Sequence, residues 1–210
     1  MKTLISKAVV GALLFAGASA AMAASSAQLK LTGSIMPGSC NVVLAGGGQL
    51  SLGAVPASDL SAIAASDLAP QTITYVINCT APMRVATSWT DESSGASGAT
   101  EFGLGRQGVN PVGSYTLTHL ADQSDAGGAQ GFMIKSRDNG QTWSTGDYRI
   151  ESGAGNLFAF ADSANSTTPG SFDSYSGKVS IQPTIVPTNT LNVTEAIELD
   201  GRASLELRYL

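Results

Sequence analysis

The C-terminal stretch of this 210-residue chain alternates between small or apolar side chains and polar ones. The small or apolar residues occupy the odd positions, namely Ile197, Leu199, Gly201, Ala203, Leu205, Leu207 and Tyr209. A period of two residues is typical of a β-strand with one face in the core and the other in water. Such a strand needs a second layer over its apolar face and a neighbour along its edge, so the pattern predicts a packed β-structure.

Asp200-Gly201 interrupts this stretch with a dipeptide that is common in two-residue hairpin loops. A two-residue loop would place Leu199 opposite Arg202 and mix apolar with polar side chains on one face. We therefore expect one long strand with a bulge at Gly201. The alternative is a hairpin with a three-residue loop, in which Leu199 lies opposite Ala203. Both interpretations place the last nine residues in a strand.

Residues 1–23 have the features of a secretory signal peptide. Lys2 and Lys7 precede the apolar run 8–18, and the small-residue site 21–23 follows it. The run is too short to cross a bilayer, so we expect cleavage after Ala23, export, and no membrane span. The remaining 187 residues suit one domain. Because the signal holds two lysines and no acidic residue, its removal changes the net charge from −5 to −7, which argues against a nucleic acid partner.

Cys40 and Cys79 are the only cysteines of the chain, and both follow the expected signal. An oxidising compartment favours a disulfide between them, and two separate buried thiols are the alternative. Closing a loop of about 40 residues would stabilise the fold by roughly 4 kcal/mol in the chain-entropy description.

Short segments rich in β-branched and apolar residues recur along the chain, separated by turn-forming residues. The clearest is 72–79, where Ile73, Tyr75, Ile77 and Cys79 share one face. The other expected strands are 50–53, 83–90, 113–120, 131–136, 141–145, 156–161 and 177–186, and 25–31 is expected to be extended. Many short strands, 24 glycines and scarcely any amphipathic helix predict an all-β antiparallel sandwich.

Two short motifs resemble functional patterns but predict turns. Residues 103–108 fit G-x-G-x-x-G, yet Pro111 follows closely and leaves no room for the helix that a dinucleotide site requires. Residues 136–143 fit S-x-D-x-G-x-T-W and so resemble the Asp-box of sialidases and related propellers, where the box is a structural hairpin turn remote from catalysis. One copy cannot form a propeller, so we expect only a tight turn at 138–140.

The side chains that could carry chemistry are few and scattered. His119 is the only histidine, which argues against a serine protease triad or a histidine-rich metal site, and we expect it to be exposed or hydrogen-bonded. Asp122, Asp125, Asp162 and Asp173 lie in expected loops, but their spacing matches no EF-type calcium loop. We therefore predict no catalytic residues, no enzyme activity, no cofactor and no metal site.

Several segments together resemble chaperone/usher fimbrial pilins. They are the alternation Leu29-Lys30-Leu31-Thr32, Gly33 seven residues before Cys40, Leu50-Ser51-Leu52-Gly53, Tyr75-Val76-Ile77-Asn78-Cys79 and the penultimate Tyr209. Within that superfamily, Phe102-Gly103-Leu104-Gly105 and Gly113-Ser114-Tyr115-Thr116-Leu117 look closest to a group of pilin-like exported proteins of uncharacterised function from Gram-negative bacteria.

The resemblance implies an immunoglobulin-like sandwich over residues 33–210 that lacks its seventh strand and so has an incomplete edge. An added strand would fill the apolar groove beside the C-terminal strand. The implied residues are Ala203, Leu205, Leu207 and Tyr209 in the groove, Ala27, Leu29 and Leu31 as donor segment within the extension 24–32, and a bridge from Cys40 to Cys79.

The implied function is that of a structural or adhesive pilin-like subunit of a fimbrium. Its expected partners are a periplasmic chaperone, an usher and neighbouring pilin subunits, with a host or surface receptor as a further candidate. Its expected location is the periplasm and then the cell surface or the medium. The alternative is a self-contained periplasmic or secreted sandwich that binds a ligand such as a glycan through its long middle loops.

Overall fold

The computed structural model of this protein describes residues 29–34, 38–96, 98 and 100–210. The chain divides into two compact units, Met1–Met36 and Pro37–Leu210. In the first unit, residues 29–34 adopt neither helix nor strand. The expected signal peptide and Ala27 lie outside the described residues.

The regular secondary structure of the second unit is almost entirely β-strand. In chain order the strands are β1 Cys40–Leu44, β2 Ser66–Asp67, β3 Gln71–Met83, β4 Val85–Asp91, β5 Phe102–Gly103, β6 Arg106–Gln107, β7 Asn110–Pro111, β8 Gly113–His119, β9 Asp125–Ala126, β10 Ala129–Gln130, β11 Phe132–Ser136, β12 Leu157–Ala161, β13 Phe172–Ile185 and β14 Ala203–Tyr209. Short 3₁₀ turns span Ala45–Gly48, Ala57–Asp59, Ala121–Gln123 and Thr188–Thr190.

The strands form two main antiparallel sheets and a small hairpin. The first sheet has the order β1-β3-β13-β8-β5, with β2 and β9 also paired to β13 and β10 paired to β9. The second sheet has the order β11-β12-β4-β14, and β6 pairs with β7 alone. Buried residues of both main sheets belong to one apolar core, so the expected all-β sandwich is confirmed.

Alternation along the strands explains which side chains enter the core. In β8 the residues at odd positions are buried and those at even positions are partly exposed. In β3 the same parity buries Ile73, Tyr75 and Ile77. These inward faces meet Trp89, Phe158 and Phe160 of the second sheet. The period-two pattern therefore places the core where the sequence predicts it.

The second sheet also carries apolar side chains on its outer face. Ala86, Ile134, Leu157, Ala159 and Ala161 form a separate buried cluster, against which Phe132 and Trp143 pack. Trp143 belongs to the Asp-box-like motif, so one role of that motif is to cover this face.

The expected turn at 138–140 is present. The Asp138 carboxylate accepts hydrogen bonds from the backbone N–H groups of Gln141 and Thr142, at 3.0 and 2.9 Å, and from the Thr142 hydroxyl at 2.5 Å. Asn139 adopts a left-handed conformation with φ 65°, and the Trp143 indole donates to the Gly140 carbonyl. Hydrogen bonds from Thr142, followed by the one from the Ser136 hydroxyl, lower the pKa of Asp138 to about 2.

Most of the expected strands are confirmed, and two are wrong. Strands β3, β4, β8, β11, β12 and β13 cover the expected segments, with β3 and β13 longer than expected. Residues 50–53 form no strand, although Leu52 still packs against the core, and 141–145 contribute only a single bridge between Ser144 and Lys135. Each segment places one apolar side chain, Leu52 or Trp143, against the fold, but among the described residues no neighbouring backbone forms a ladder with it.

The C-terminal stretch also departs from both interpretations, because β14 begins only at Ala203. The preceding residues cross to the first sheet, where the Asp200 N–H donates to the Leu104 carbonyl at 3.0 Å. Gly201 packs so closely that a Cβ there would lie 2.8 Å from Tyr115 Cε1 and 3.0 Å from Leu104 Cδ2. Neither a bulged strand nor a hairpin forms, because the backbone of this segment bonds to Leu104 and Ser93 and not to a neighbouring strand. The strand expected in the last nine residues is present over seven of them.

Candidate partner-binding groove

Strand β14 is the edge strand of the second sheet, and β1 is the edge strand of the first. In the described part of the chain, each pairs with one neighbour only, β14 with β4 and β1 with β3. The two edges approach each other where the Tyr209 hydroxyl accepts a hydrogen bond from the Cys40 N–H at 2.9 Å. The sandwich is therefore open along the side between β1 and β14.

Among the described residues, no strand pairs with the outer edge of β14, which therefore presents a row of backbone groups without ladder partners. Next to the strand, the Arg202 carbonyl accepts from the Glu92 N–H at 3.0 Å, and the Leu210 N–H donates to the Arg84 carbonyl at 3.1 Å. Backbone groups of an antiparallel strand alternate between its two edges, so the even-numbered residues face β4. The odd-numbered residues direct their N–H and C=O groups to the open edge, and these residues are Ala203, Leu205, Leu207 and Tyr209.

A cavity of about 860 Å³ lies between the sheets on this open side. Its wall is mainly apolar and includes Leu44, Ile73, Trp89, Leu104, Leu117 and Ile185. Residues 48–60 line one side of its mouth, and residues 191–203 line the other. The charged side chains of the wall are Glu195 and Glu198, so the mouth is acidic. We refer to this cavity together with the facing edges of β1 and β14 as the groove.

Trp89 adds an unpaired donor to the groove. Its side chain lines the cavity and is 4% exposed. The indole Nε1–H is buried and has no hydrogen-bond acceptor among the described residues. A buried donor without an acceptor costs about 1 to 3 kcal/mol.

The four residues predicted to line the groove lie in different environments. Ala203 is part of the cavity wall. Leu205 and Leu207 are partly buried and pack against the main core. Tyr209 is 51% exposed and lies at the opposite end of β14 from the cavity. All four are odd-numbered residues of β14 and therefore lie on one face of the strand, as the alternation in the sequence predicts.

Sequence reasoning missed most of the cavity wall. Trp89, Leu104 and Leu199 line it, and they come from three distant parts of the chain. The one available signal was the continued alternation before β14, which placed Ile197 and Leu199 on the face of the groove residues. No sequence pattern brings Leu104 to the same place.

Cys40 and Cys79 form a disulfide, as the sequence predicts. They are paired opposite each other in the β1–β3 ladder, with their Cα atoms 4.0 Å apart. The bond therefore ties the edge strand β1 to the interior strand β3 beside the tyrosine contact. It fixes one wall of the groove.

The residues predicted to form a donor segment are exposed where they are described. Leu29 is 87% exposed and Leu31 is 83% exposed. Their large apolar side chains are available for contact with a partner.

A buried lysine forms the centre of an ion-pair network. Lys135 lies on the inward face of β11, and its Nζ is 3.2 Å from Asp147 Oδ2, 2.9 Å from Glu151 Oε1 and 2.5 Å from the Arg149 carbonyl. Arg137 bridges the same two carboxylates from the surface. The hydrogen bond from Arg137 is the main cause that lowers the pKa of Glu151. Burial alone would raise the pKa of Asp147, but hydrogen bonds from Arg149, Lys135 and Arg137 outweigh it and lower the pKa.

His119 contradicts the expectation that it is exposed or hydrogen-bonded. It is 2% exposed because position 119 has the inward parity of β8. Its ring centroid is 4.5 Å from that of Phe158 and 5.7 Å from that of Tyr75, and neither ring nitrogen has a hydrogen-bond partner among the described residues. Burial, followed by the positive charge of Lys135, lowers the pKa of His119 to about 3.

Acid is therefore expected to destabilise the fold through His119. Between about pH 6.5 and 3 the unfolded chain binds a proton that the folded chain does not, so stability falls as the pH falls through this window, by at most about 1.4 kcal/mol per pH unit. Asp147 and Glu151 add to the loss below about pH 4, where the unfolded carboxylates take up protons. Melting temperatures of the wild type and of His119→Gln, compared between about pH 6.5 and 4.5, measure the effect. The fall in melting temperature per pH unit should be much smaller in the variant. An equal fall in both proteins would contradict the role of His119.

Comparison with known proteins gives one match. Residues 29–122 are similar to a family described as "Protein of unknown function (DUF1120)". The matched region includes β1, β3, β4 and β8, and so it contains one wall of the groove but not β14. No curated protein matches the chain. No helix long and apolar enough to cross a membrane occurs in the part of the chain that the structure describes.

Proposed function

We propose that this chain is a non-enzymatic, pilin-like structural or adhesive subunit that binds a β-strand of a partner in its groove. The observation that carries the proposal is the pair of edges β1 and β14 beside an apolar cavity, with unpaired backbone groups along β14. Strand addition uses such an edge for backbone hydrogen bonds and such a cavity for alternate side chains.

The chemistry of the groove favours an extended segment with apolar side chains at every second position. These side chains would fill the 860 Å³ cavity and remove apolar wall from water. Backbone carbonyls of the segment would accept from the odd-numbered N–H groups of β14. The acidic mouth favours a segment that is neutral or basic.

We propose two successive occupants, following the resemblance to chaperone/usher pilins. The first is a strand of a periplasmic chaperone, after export, and the second is the extension of a neighbouring subunit added at an usher. In this chain the extension contains Ala27, Leu29 and Leu31, and its one charged residue is Lys30, which complements the acidic mouth of the groove. The assembled fimbrium at the cell surface is the proposed location.

Tyr209 offers a test, because it lies half-exposed at the end of the groove. The chain is expressed in a periplasm with and without a co-expressed chaperone, as wild type, as Tyr209→Ser and as Glu206→Ser. Glu206 is an exposed residue of the same strand that lies on the opposite face. Completing the burial of half a tyrosine against a partner is worth about 1.4 kcal/mol, so Tyr209→Ser should weaken capture by roughly tenfold. Glu206→Ser should leave capture unchanged.

Melting temperatures of the isolated variants separate binding from stability. If Tyr209→Ser melts several degrees lower yet is captured as well as wild type, Tyr209 serves the core alone. A wild-type chain that gains no stability when a partner strand is captured would also count against the proposal.

A further inference from the structure

The outer edge of β14 is suited to pairing with the same edge of a second copy of this chain. No strand among the described residues pairs with this edge, and the odd-numbered residues direct their N–H and C=O groups to it. A twofold axis brings the same surface of each copy together, so it would join the two β14 strands antiparallel. Two four-stranded sheets would then form one sheet of eight strands.

The outer face of β14 carries two charges of opposite sign, two positions apart. Glu206 is exposed and Arg208 is partly exposed, and neither forms a salt bridge within the described part of the chain. The Arg208 Nη1 donates a hydrogen bond to the Ala154 carbonyl at 3.0 Å, which leaves other N–H groups of the guanidinium for a carboxylate. Opposite charges that face each other on paired strands are favourable and like charges are unfavourable, so these two side chains can select a register.

The residue of β14 that lies beside the twofold axis sets the register. With the axis at Leu207, Glu206 lies opposite Arg208 of the second copy, and by symmetry this attraction occurs twice. An axis at Glu206 or at Arg208 would place that residue opposite its own copy, and the like charges would repel. An axis at Leu205 would place Arg208 opposite Arg202 of the second copy. The charges therefore favour the register centred on Leu207.

The same register also matches the inner faces of the two strands. Leu207 lies beside its own copy, and Leu205 lies beside Tyr209 of the second copy. These odd-numbered residues then form hydrogen-bonded pairs, so the backbone groups of the open edge gain ladder partners. Tyr209 is 51% exposed, and the cross-strand leucine would cover part of its ring.

We propose that this chain forms a twofold dimer through β14, in the register centred on Leu207. The dimer is closed, because the pairing uses the β14 edge of both copies. At the opposite edge of the sheet, Lys135 of β11 already exchanges both backbone hydrogen bonds with Ser144. A contact along one strand of seven residues is small, so we expect a weak dimer with a Kd between about 1 µM and 1 mM.

The dimer and strand addition exclude each other, because both use the same backbone groups of β14. The dimer itself needs only the open edge and does not depend on the proposed function. In dilute solution the partner-free chain is monomeric and its edge is free, whereas in concentrated solution a second copy covers the edge.

The first test is sedimentation equilibrium of the mature chain over concentrations from about 1 µM to about 1 mM, together with hydrogen exchange at both limits. The mass should rise from that of a monomer towards that of a dimer, and not beyond. The Leu205 and Leu207 amides should exchange rapidly in the dilute sample and slowly in the concentrated one. The Glu206 and Arg208 amides, which face β4, should be protected in both.

The second test uses charge exchange along the outer face. Glu206→Arg and Arg208→Glu each leave like charges facing each other, so each should raise the Kd about tenfold or more. An equimolar mixture of these two variants should dimerise, because the charges of one copy then complement those of the other. The double variant Glu206→Arg with Arg208→Glu should return the Kd to within a factor of about two of wild type. Asp173→Arg changes the net charge as Glu206→Arg does, but at an exposed residue of the first sheet, and should have no effect.

The proposal is overturned if the chain remains a monomer throughout, if both single variants dimerise as well as wild type, or if their mixture stays monomeric. The outcomes also separate this proposal from the proposed function. A chain that never dimerises but captures a partner strand would overturn the dimer alone. A dimer that forms as described but is not dissociated by any partner strand would support the dimer and count against strand addition.

Discussion

Replacing both Cys40 and Cys79 by serine is expected to lower the free energy of unfolding by about 4 kcal/mol. Their sequence separation of 39 sets this value, because the unfolded chain regains the entropy of an open loop. The loss should be visible as a fall in the denaturation midpoint, and the slope should rise because the unfolded chain without the cross-link exposes more surface. A reduced wild-type sample should show a similar loss.

Replacing both cysteines should also loosen β1, the edge strand that forms one wall of the groove. Without the bond, β1 is held to β3 by its ladder and to β14 by the tyrosine contact alone. Hydrogen exchange of the Asn41 and Val43 amides, which face β3, should therefore accelerate more than that of the β13 amides. Equal stability of the variant and the oxidised wild type would show that the bond does not constrain the fold.

Replacing Lys135 by methionine is expected to destabilise the fold by about 2 to 4 kcal/mol, although methionine is apolar and similar in length. The substitution removes the central cation from Asp147 and Glu151, and a buried pair that loses one partner leaves the other charge uncompensated. Arg137 remains beside both carboxylates and limits the loss.

A matched control for this prediction is Lys178→Met. Lys178 contacts Gln123 in an exposed position, so its replacement should change stability by no more than about 0.5 kcal/mol. Combining Lys135→Met with Asp147→Asn and Glu151→Gln should recover part of the loss, because no carboxylate is then left without its buried lysine and the half-exposed Arg137 side chain can be hydrated. If Lys135→Met alone is as stable as the control, the network does not contribute to stability.

The sequence predicts the core faces of this sandwich better than it predicts the backbone pairing. Period-two alternation identifies β3, β8 and β13 because each of these strands is paired with a neighbouring strand along both of its edges. The same alternation over residues 197–202 predicts a strand that does not form. There the apolar side chains do pack against the core, but the backbone bonds to Leu104 and Ser93 instead of to a neighbouring strand.

Polar groups in the core were the other features that alternation alone did not resolve. His119 shares the inward parity of Tyr115 and Leu117, which was a usable signal for its burial. Lys135 shares the inward parity of Met133, but a lysine at such a position requires acidic partners that lie 12 and 16 residues further along the chain. Only the three-dimensional arrangement shows that Asp147 and Glu151 supply them.

The groove was predicted in part. The resemblance to pilins indicated the residues of β14 and the cysteine pair, and both lie beside the open side between β1 and β14. The cavity itself combines Trp89, Leu104 and Leu199 through contacts between segments distant in sequence, which no local pattern specifies.

Hydrogen exchange along β14 tests most directly whether the groove takes up an added strand. In the partner-free mature chain, the amides of Leu205 and Leu207 should exchange rapidly, whereas those of Glu206 and Arg208, which face β4, should be protected. In a complex with a captured strand, all four should be protected, because the added backbone pairs with the odd-numbered groups. Protection of Leu205 and Leu207 in the partner-free chain, or continued rapid exchange in the complex, would contradict strand addition at this edge.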